Sequence, residues 1–138
     1  MKAPFFSLPG LLTDEKASLH DFEGKVVLLT FWVSWCPDSQ RDLENKQQLF
    51  TAMDTEQLEM VMINVTGRES SSEKGIQYYQ EKGYTFPCLK DKGTATYDLY
   101  QCMSVPTTFL INKDQDIVQR YNDKATFQDI LKGISTVI

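Results

Sequence analysis

Residues 26–39 read VVLLTFWVSWCPDS, an apolar run that stops at a tryptophan, a single cysteine and a proline. An unbroken stretch of valine, leucine and aromatic residues fits a strand covered on both faces. From Pro37 onward the chain turns polar and helix-forming, with Leu43, Phe50 and Met53 as a thin apolar stripe, and the helix is predicted to end near Asp54. Cys36 therefore falls where strand gives way to helix. Pro37 suits the first helical turn, where its missing N–H costs no hydrogen bond. Unpaired amide groups and the positive end of a helix dipole favour a thiolate over a thiol, so the reading of function starts from Cys36.

Working outward, residues 58–65, LEMVMINV, predict a second buried strand. Ser70 and Glu73 have capping-box spacing ahead of a helix with Ile76 and Tyr79 on its apolar face, and Gly83 suits its C-terminal cap. Residues 85–89 read as a short extended stretch and 94–100 as a short helix. Residues 107–111, TTFLI, and 117–121 predict two strands pairing antiparallel across the polar turn 112–115. Phe127, Ile130, Leu131 and Ile134 mark a final amphipathic helix, with Thr126 and Asp129 spaced as a capping pair. Before the central strand, residues 3–8 read as extended, with Pro4 and Pro9 as punctuation. Residues 11–13 and 16–19 flank a Thr-Asp-Glu turn and predict a small hairpin, followed by a tight turn from His20 to Gly24. Alternating strands and helices imply an α/β layer fold, in which ligands gather at the carboxyl ends of strands.

At 138 residues the chain fits one domain, 1–138, and its 41% hydrophobic and 24% charged content is ordinary for a globular protein. A net charge of −5, with no basic stripe, argues against nucleic acid. Three widely spaced cysteines do not make a disulfide framework, and the lone His20 lacks the companions of a metal site. The longest apolar run is far short of a membrane span, and the first residues lack a secretory signal. A complete chain would be expected in the cytoplasm; one that lost an N-terminal anchor would be membrane-tethered and extracytoplasmic.

Phe31-Trp32-x-x-Trp35-Cys36-Pro37-x-Ser39 resembles the F-W-x-x-W-C-x-x-C motif of the thioredoxin-like family, with serine at the second cysteine. Residues 105–111, VPTTFLI, resemble the loop that holds the family's cis-proline opposite the active cysteine. Residues 3–8 and 86–91 resemble segments of one branch, the membrane-tethered thiol–disulfide oxidoreductases and redoxins. Nearly the whole chain is covered. The resemblance implies a thioredoxin-like three-layer fold, a central mixed β-sheet flanked by helices, with an N-terminal hairpin and an inserted strand-helix segment. It implies a redox-active, nucleophilic Cys36, a cis Pro106, and backbone groups at Val105 that pair with an extended substrate segment. Asp42 falls on the branch's acidic position in the first helix, commonly a glutamate that moves protons near the thiols. Trp35 and Pro37 would flank the thiol as a substrate platform, while Trp32 belongs to the core. The implied partners are disulfide-bearing protein substrates and an external thiol reductant, acting on a monomer with no cofactor and no metal.

The departures are informative. Ser39 replaces the resolving thiol, Thr30 stands where ordinary thioredoxins keep a buried aspartate, Gln115 stands at a usual glycine, and Glu44 replaces a helix proline. In two-cysteine motifs a thiolate attacks a substrate disulfide and a second thiol displaces it. A serine hydroxyl can hydrogen-bond a thiolate but cannot displace sulfur, so mixed disulfides at Cys36 should persist until an outside thiol resolves them. Asp38 opposes the thiolate with about 1 kcal/mol of repulsion across about 7 Å. Cys88 and Cys102 read as small core hydrophobes, although Cys102 lies close enough to Pro106 in sequence to bridge Cys36 if the α-carbons come within about 7 Å. Two other functions fit the chain. A thiol peroxidase would usually carry threonine or serine three residues before the cysteine, where Val33 stands; a binding module would keep its partners without Cys36.

Overall fold

The computed structural model describes residues 1–138. Strands β1 (Ser7–Pro9) and β2 (Lys16–Ser18) precede the central β3 (Val26–Trp32), which leads into helix α1 (Pro37–Ala52). Then follow β4 (Leu58–Asn64), α2 (Lys74–Lys82), β5 (Cys88–Lys90), α3 (Ala95–Leu99), β6 (Thr107–Ile111), β7 (Ile117–Tyr121) and α4 (Phe127–Ser135). The main sheet runs β5-β4-β3-β6-β7, with β3 parallel to β4 and antiparallel to β6. Every residue of β3 is buried, which is why its sequence shows no polar alternation. Its side chains divide between two cores. Val27, Leu29 and Phe31 join Phe6, Leu19, Tyr97 and Tyr100 on one face; Val26, Leu28 and Trp32 join Leu43, Tyr79, Ile130 and Ile134 on the other. The helices α1, α2 and α4 therefore cover one face, and α3 with the N-terminal segment covers the other, giving the three-layer thioredoxin-like architecture. No helix is long and apolar enough to cross a membrane.

Two local expectations are corrected. The hairpin forms, but its first strand is Ser7–Pro9 rather than 11–13, with Leu8 opposite Ala17. Leu11 is buried, and its N–H donates to the Cys88 carbonyl at 2.8 Å, so docking on β5 removes it from the hairpin. The Ser70–Glu73 capping box does not form either. Glu73 is itself the N-cap of α2, already in a helical conformation and without a side-chain cap, which leaves Ser70 a turn too early. By contrast, Thr126 and Asp129 cap α4 reciprocally, at 3.1 and 3.2 Å, and Gly83 ends α2 at φ 67°. Gln115 takes φ 64°, the left-handed conformation that explains why its position suits glycine.

Candidate active site

The chain leaves the carboxyl end of β3 at Trp32, and Cys36 is the N-cap of α1 with Pro37 in the first turn. Four contacts brace the connecting turn. The Ser34 N–H and Oγ donate to the two oxygens of Glu69 at 2.7 and 2.6 Å, and the Gln40 amide donates to the Ser34 carbonyl at 2.8 Å. The Trp35 indole N–H donates to the Arg68 carbonyl at 2.8 Å while the residue stays 54% exposed. Trp32, in contrast, is fully buried.

Cys36 is half-buried, and its thiol donates to the Val105 carbonyl at 3.7 Å. The peptide bond between Val105 and Pro106 is cis. The first helix and the loop before β6 thus meet at one sulfur atom. Desolvation by burial pushes the Cys88 thiol up to about 12 and the Cys102 thiol up to about 12, which keeps both protonated and unreactive near neutral pH. All three cysteines are free thiols.

Ser39 is fully buried, and its Oγ accepts from the Val33 N–H at 3.5 Å. The side chain ties the first turn of α1 to the end of β3. Asp38, expected to oppose the thiolate, is ion-paired with Arg41 one turn on, which offsets part of its charge. Asp42 lies deeper along α1, with a side chain only 14% exposed. Asp42, Pro106 and Thr108 line a cavity of about 180 Å³ completed by other residues of α1, the loop after β7 and the start of α4.

Residues 1–120 match the model of the AhpC/TSA family. The chain belongs to the AhpC/TSA family. Among its relatives, the thioredoxin-like protein YneN of Bacillus subtilis (strain 168) is 34% identical over 135 residues, covering 98% of this chain and 72% of that one. A thiol-disulfide oxidoreductase ResA from Geobacillus kaustophilus is 30% identical over 130 residues, 92% of this chain and 73% of its own. The crystal structure of StoA from Bacillus subtilis superposes with a TM-score of 0.82 over 96% of this chain and 97% of that one; at 23% identity it speaks to the fold. Motif, fold and relatives agree on a thioredoxin-like thiol–disulfide oxidoreductase within the AhpC/TSA family.

Three side chains of this AhpC/TSA domain escape a reading of the motif alone. Glu69 also accepts from the Asn64 amide at 2.8 Å and so ties the end of β4 to the turn before Cys36. Arg41 offsets Asp38. Lys46 is the third: fully buried, it reaches Asp42 at 2.9 Å, Thr30 Oγ1 at 2.9 Å and Thr108 Oγ1 at 3.0 Å. The spacing of Asp42 and Lys46 on one helix face was the available signal. It reads as a solvated ion pair until the sheet is placed beneath it.

Proposed function

We propose that Cys36 is the attacking thiol of a monothiol thiol–disulfide oxidoreductase acting on protein disulfides. The observation that carries this reading is the placement of the Cys36 sulfur at the start of α1 and against the carbonyl preceding cis Pro106. The Cys36 thiolate attacks one sulfur of a substrate disulfide. A bond from Cys36 to that sulfur forms, the substrate disulfide breaks, and the other substrate sulfur leaves as a thiolate that takes up a proton. Ser39 cannot attack the mixed disulfide, so an outside thiol must. It loses its proton, bonds to the Cys36 sulfur and displaces the substrate as a thiolate; a second outside thiol then frees Cys36 and leaves the pair as a disulfide.

Trp35 and Pro37, both exposed and flanking Cys36 in sequence, supply an apolar platform, and the Val105–Pro106 segment, running into β6, supplies backbone next to the sulfur. An extended peptide laid between them would be held by main-chain hydrogen bonds, a mode that suits varied protein substrates. In this reading Asp42, which lines a cavity together with Pro106, handles the protons these steps exchange. Tethering outside the cytoplasm would give such a domain access to disulfides, which persist there.

The test is direct. The protein is incubated with a disulfide-bearing peptide and its intact mass measured; one peptide adduct, mapped to Cys36 and lost in Cys36→Ala, is expected. Modification of Cys88 or Cys102 with Cys36 left free would overturn the assignment. Rapid consumption of hydrogen peroxide with sulfenic acid at Cys36 would instead make the chain a thiol peroxidase.

A further inference from the structure

Lys46 is a charged side chain with no exposure in the interior of the domain, at a place where packing alone would favour an aliphatic residue. An ammonium has three N–H donors and no acceptor. All three are matched here, two by the hydroxyls of Thr30 and Thr108 and one by the Asp42 carboxylate. The two threonines are cross-strand partners on β3 and β6, with hydroxyls 3.3 Å apart, so the sheet itself forms the cradle. Asp42 is the only countercharge bonded to Lys46. Removing two ions from water is costly, and a buried pair is often no more stabilising than apolar residues of the same volume. A helical side chain also leans toward its helix N-terminus, so Lys46 reaches back along α1 toward the end that carries Cys36.

The cavity beside Pro106 is where the arrangement acquires a use. Asp42 and Thr108 both line it, and the carbonyl one residue before Pro106 accepts from the Cys36 thiol. The other charged groups lining this cavity are Asp38 and Arg41, paired with each other on α1, and Asp123, which accepts from the Ser104 hydroxyl at 3.1 Å. From β3 and β6 only the two threonine hydroxyls join the pair. Asp42 is thus bonded to a fully buried cation and also lines the cavity, which reaches the Cys36 side of the fold through Pro106 rather than through Cys36 itself.

We propose that Lys46 is a positioning residue for thiol–disulfide exchange: its buried ammonium fixes the Asp42 carboxylate beside Pro106, where that carboxylate takes the proton of the outside thiol that resolves the Cys36 mixed disulfide. This rests on the monothiol function proposed above. The outside thiol gives its proton to Asp42 as its sulfur bonds to the Cys36 sulfur; the substrate sulfur leaves with the electrons of the broken bond, and the proton passes from Asp42 to the departing thiolate or to water. Lys46 itself transfers nothing. Without it the carboxylate is free to turn toward solvent, and the proton acceptor loses its place.

The full chain is converted to a mixed disulfide at Cys36 with an aromatic disulfide reagent whose released thiolate is coloured, and mass spectrometry confirms a single adduct at that residue. Release by β-mercaptoethanol is then followed by stopped-flow absorbance from about pH 6.5 to about pH 9.5, over which the thiolate fraction of an alkyl thiol rises steeply. Lys46→Met is expected to slow release about tenfold at the acid end, with the ratio to the unsubstituted chain falling toward one at the alkaline end, where no base is required. Asp42→Asn is expected to do the same, and Asp42→Asn/Lys46→Met to be no slower than either single variant, because the two act as one unit. A residue that only supports the fold would lower the melting temperature and leave this pH-dependent ratio at one. Release from folded Lys46→Met equal to the unsubstituted rate at every pH overturns the proposal. So does an unchanged profile for Asp42→Asn, which decides the matter even if Lys46→Met does not fold. Failure of the unsubstituted chain to form any Cys36 adduct would overturn the function on which the proposal rests, a result distinct from either of these.

Discussion

Replacing Glu69 by alanine removes three hydrogen bonds to a carboxylate at once: two from Ser34, at 2.7 and 2.6 Å, and one from Asn64, at 2.8 Å. Hydrogen bonds to charged groups contribute about 1.5–3 kcal/mol each when no water can replace the partner. Ser34 and Glu69 are both half-buried, so water recovers most of the first two. Asn64 is fully buried and recovers less; its amide keeps only the Trp32 carbonyl, at 3.3 Å. Glu69→Ala is therefore expected to destabilise the domain by about 2 kcal/mol, which corresponds to a fall of roughly 6–10 °C in melting temperature for a domain of this size. Glu69→Gln keeps one acceptor but turns an amide toward the Ser34 or Asn64 donors, and should recover less than half of that loss. The assay is urea unfolding by tryptophan fluorescence, with a lower midpoint and an unchanged slope marking a true loss of stability. A change within about 0.5 kcal/mol for Glu69→Ala would refute the claim that this carboxylate anchors the turn carrying Trp35 and Cys36.

Ser39→Cys should supply the missing thiol: a peptide mixed disulfide at Cys36 would then release its peptide without outside thiol, and the mass of the product would show an internal disulfide. Burial pushes Cys88 and Cys102 up to about 12 from 9.0 and raises Tyr79 to about 12 from 10.0, so the folded chain holds protons that the unfolded chain has lost. Stability is accordingly complete below about pH 9 and falls as pH rises toward 12, read as a declining urea midpoint; a flat midpoint across that range would contradict the burial of these groups. Gln101 is exposed and sits at φ 56°, so Gln101→Gly should stabilise by about 0.5–1 kcal/mol, the relief of left-handed backbone less the extra freedom of the unfolded chain.

What could be read in advance follows from how local each signal is. The end of β3 and the start of α1 were legible because burial on both faces and a proline at the first helical position leave marks within a few residues. The Thr126–Asp129 cap was legible for the same reason, and the cis bond before Pro106 through family resemblance. The hairpin register was not, because Leu11 is claimed by β5, a strand far away in sequence. Lys46 hid in the same way: beside Asp42 it looks like any helix-surface ion pair, and only the adjacent threonines of β3 and β6 turn it inward. Ser39 was legible as a missing thiol but not as a strut for Val33, a contact that depends on how the first turn of α1 tucks under the strand.

The lifetime of the mixed disulfide tests the central claim most directly. A peptide adduct at Cys36 is isolated free of excess reagent, held without thiol, and followed by intact mass before and after an outside thiol is added. A single-thiol site with Ser39 in place predicts an adduct that persists until the outside thiol arrives and then disappears in proportion to its concentration. Spontaneous release with formation of an internal disulfide between Cys36 and Cys102 would contradict it.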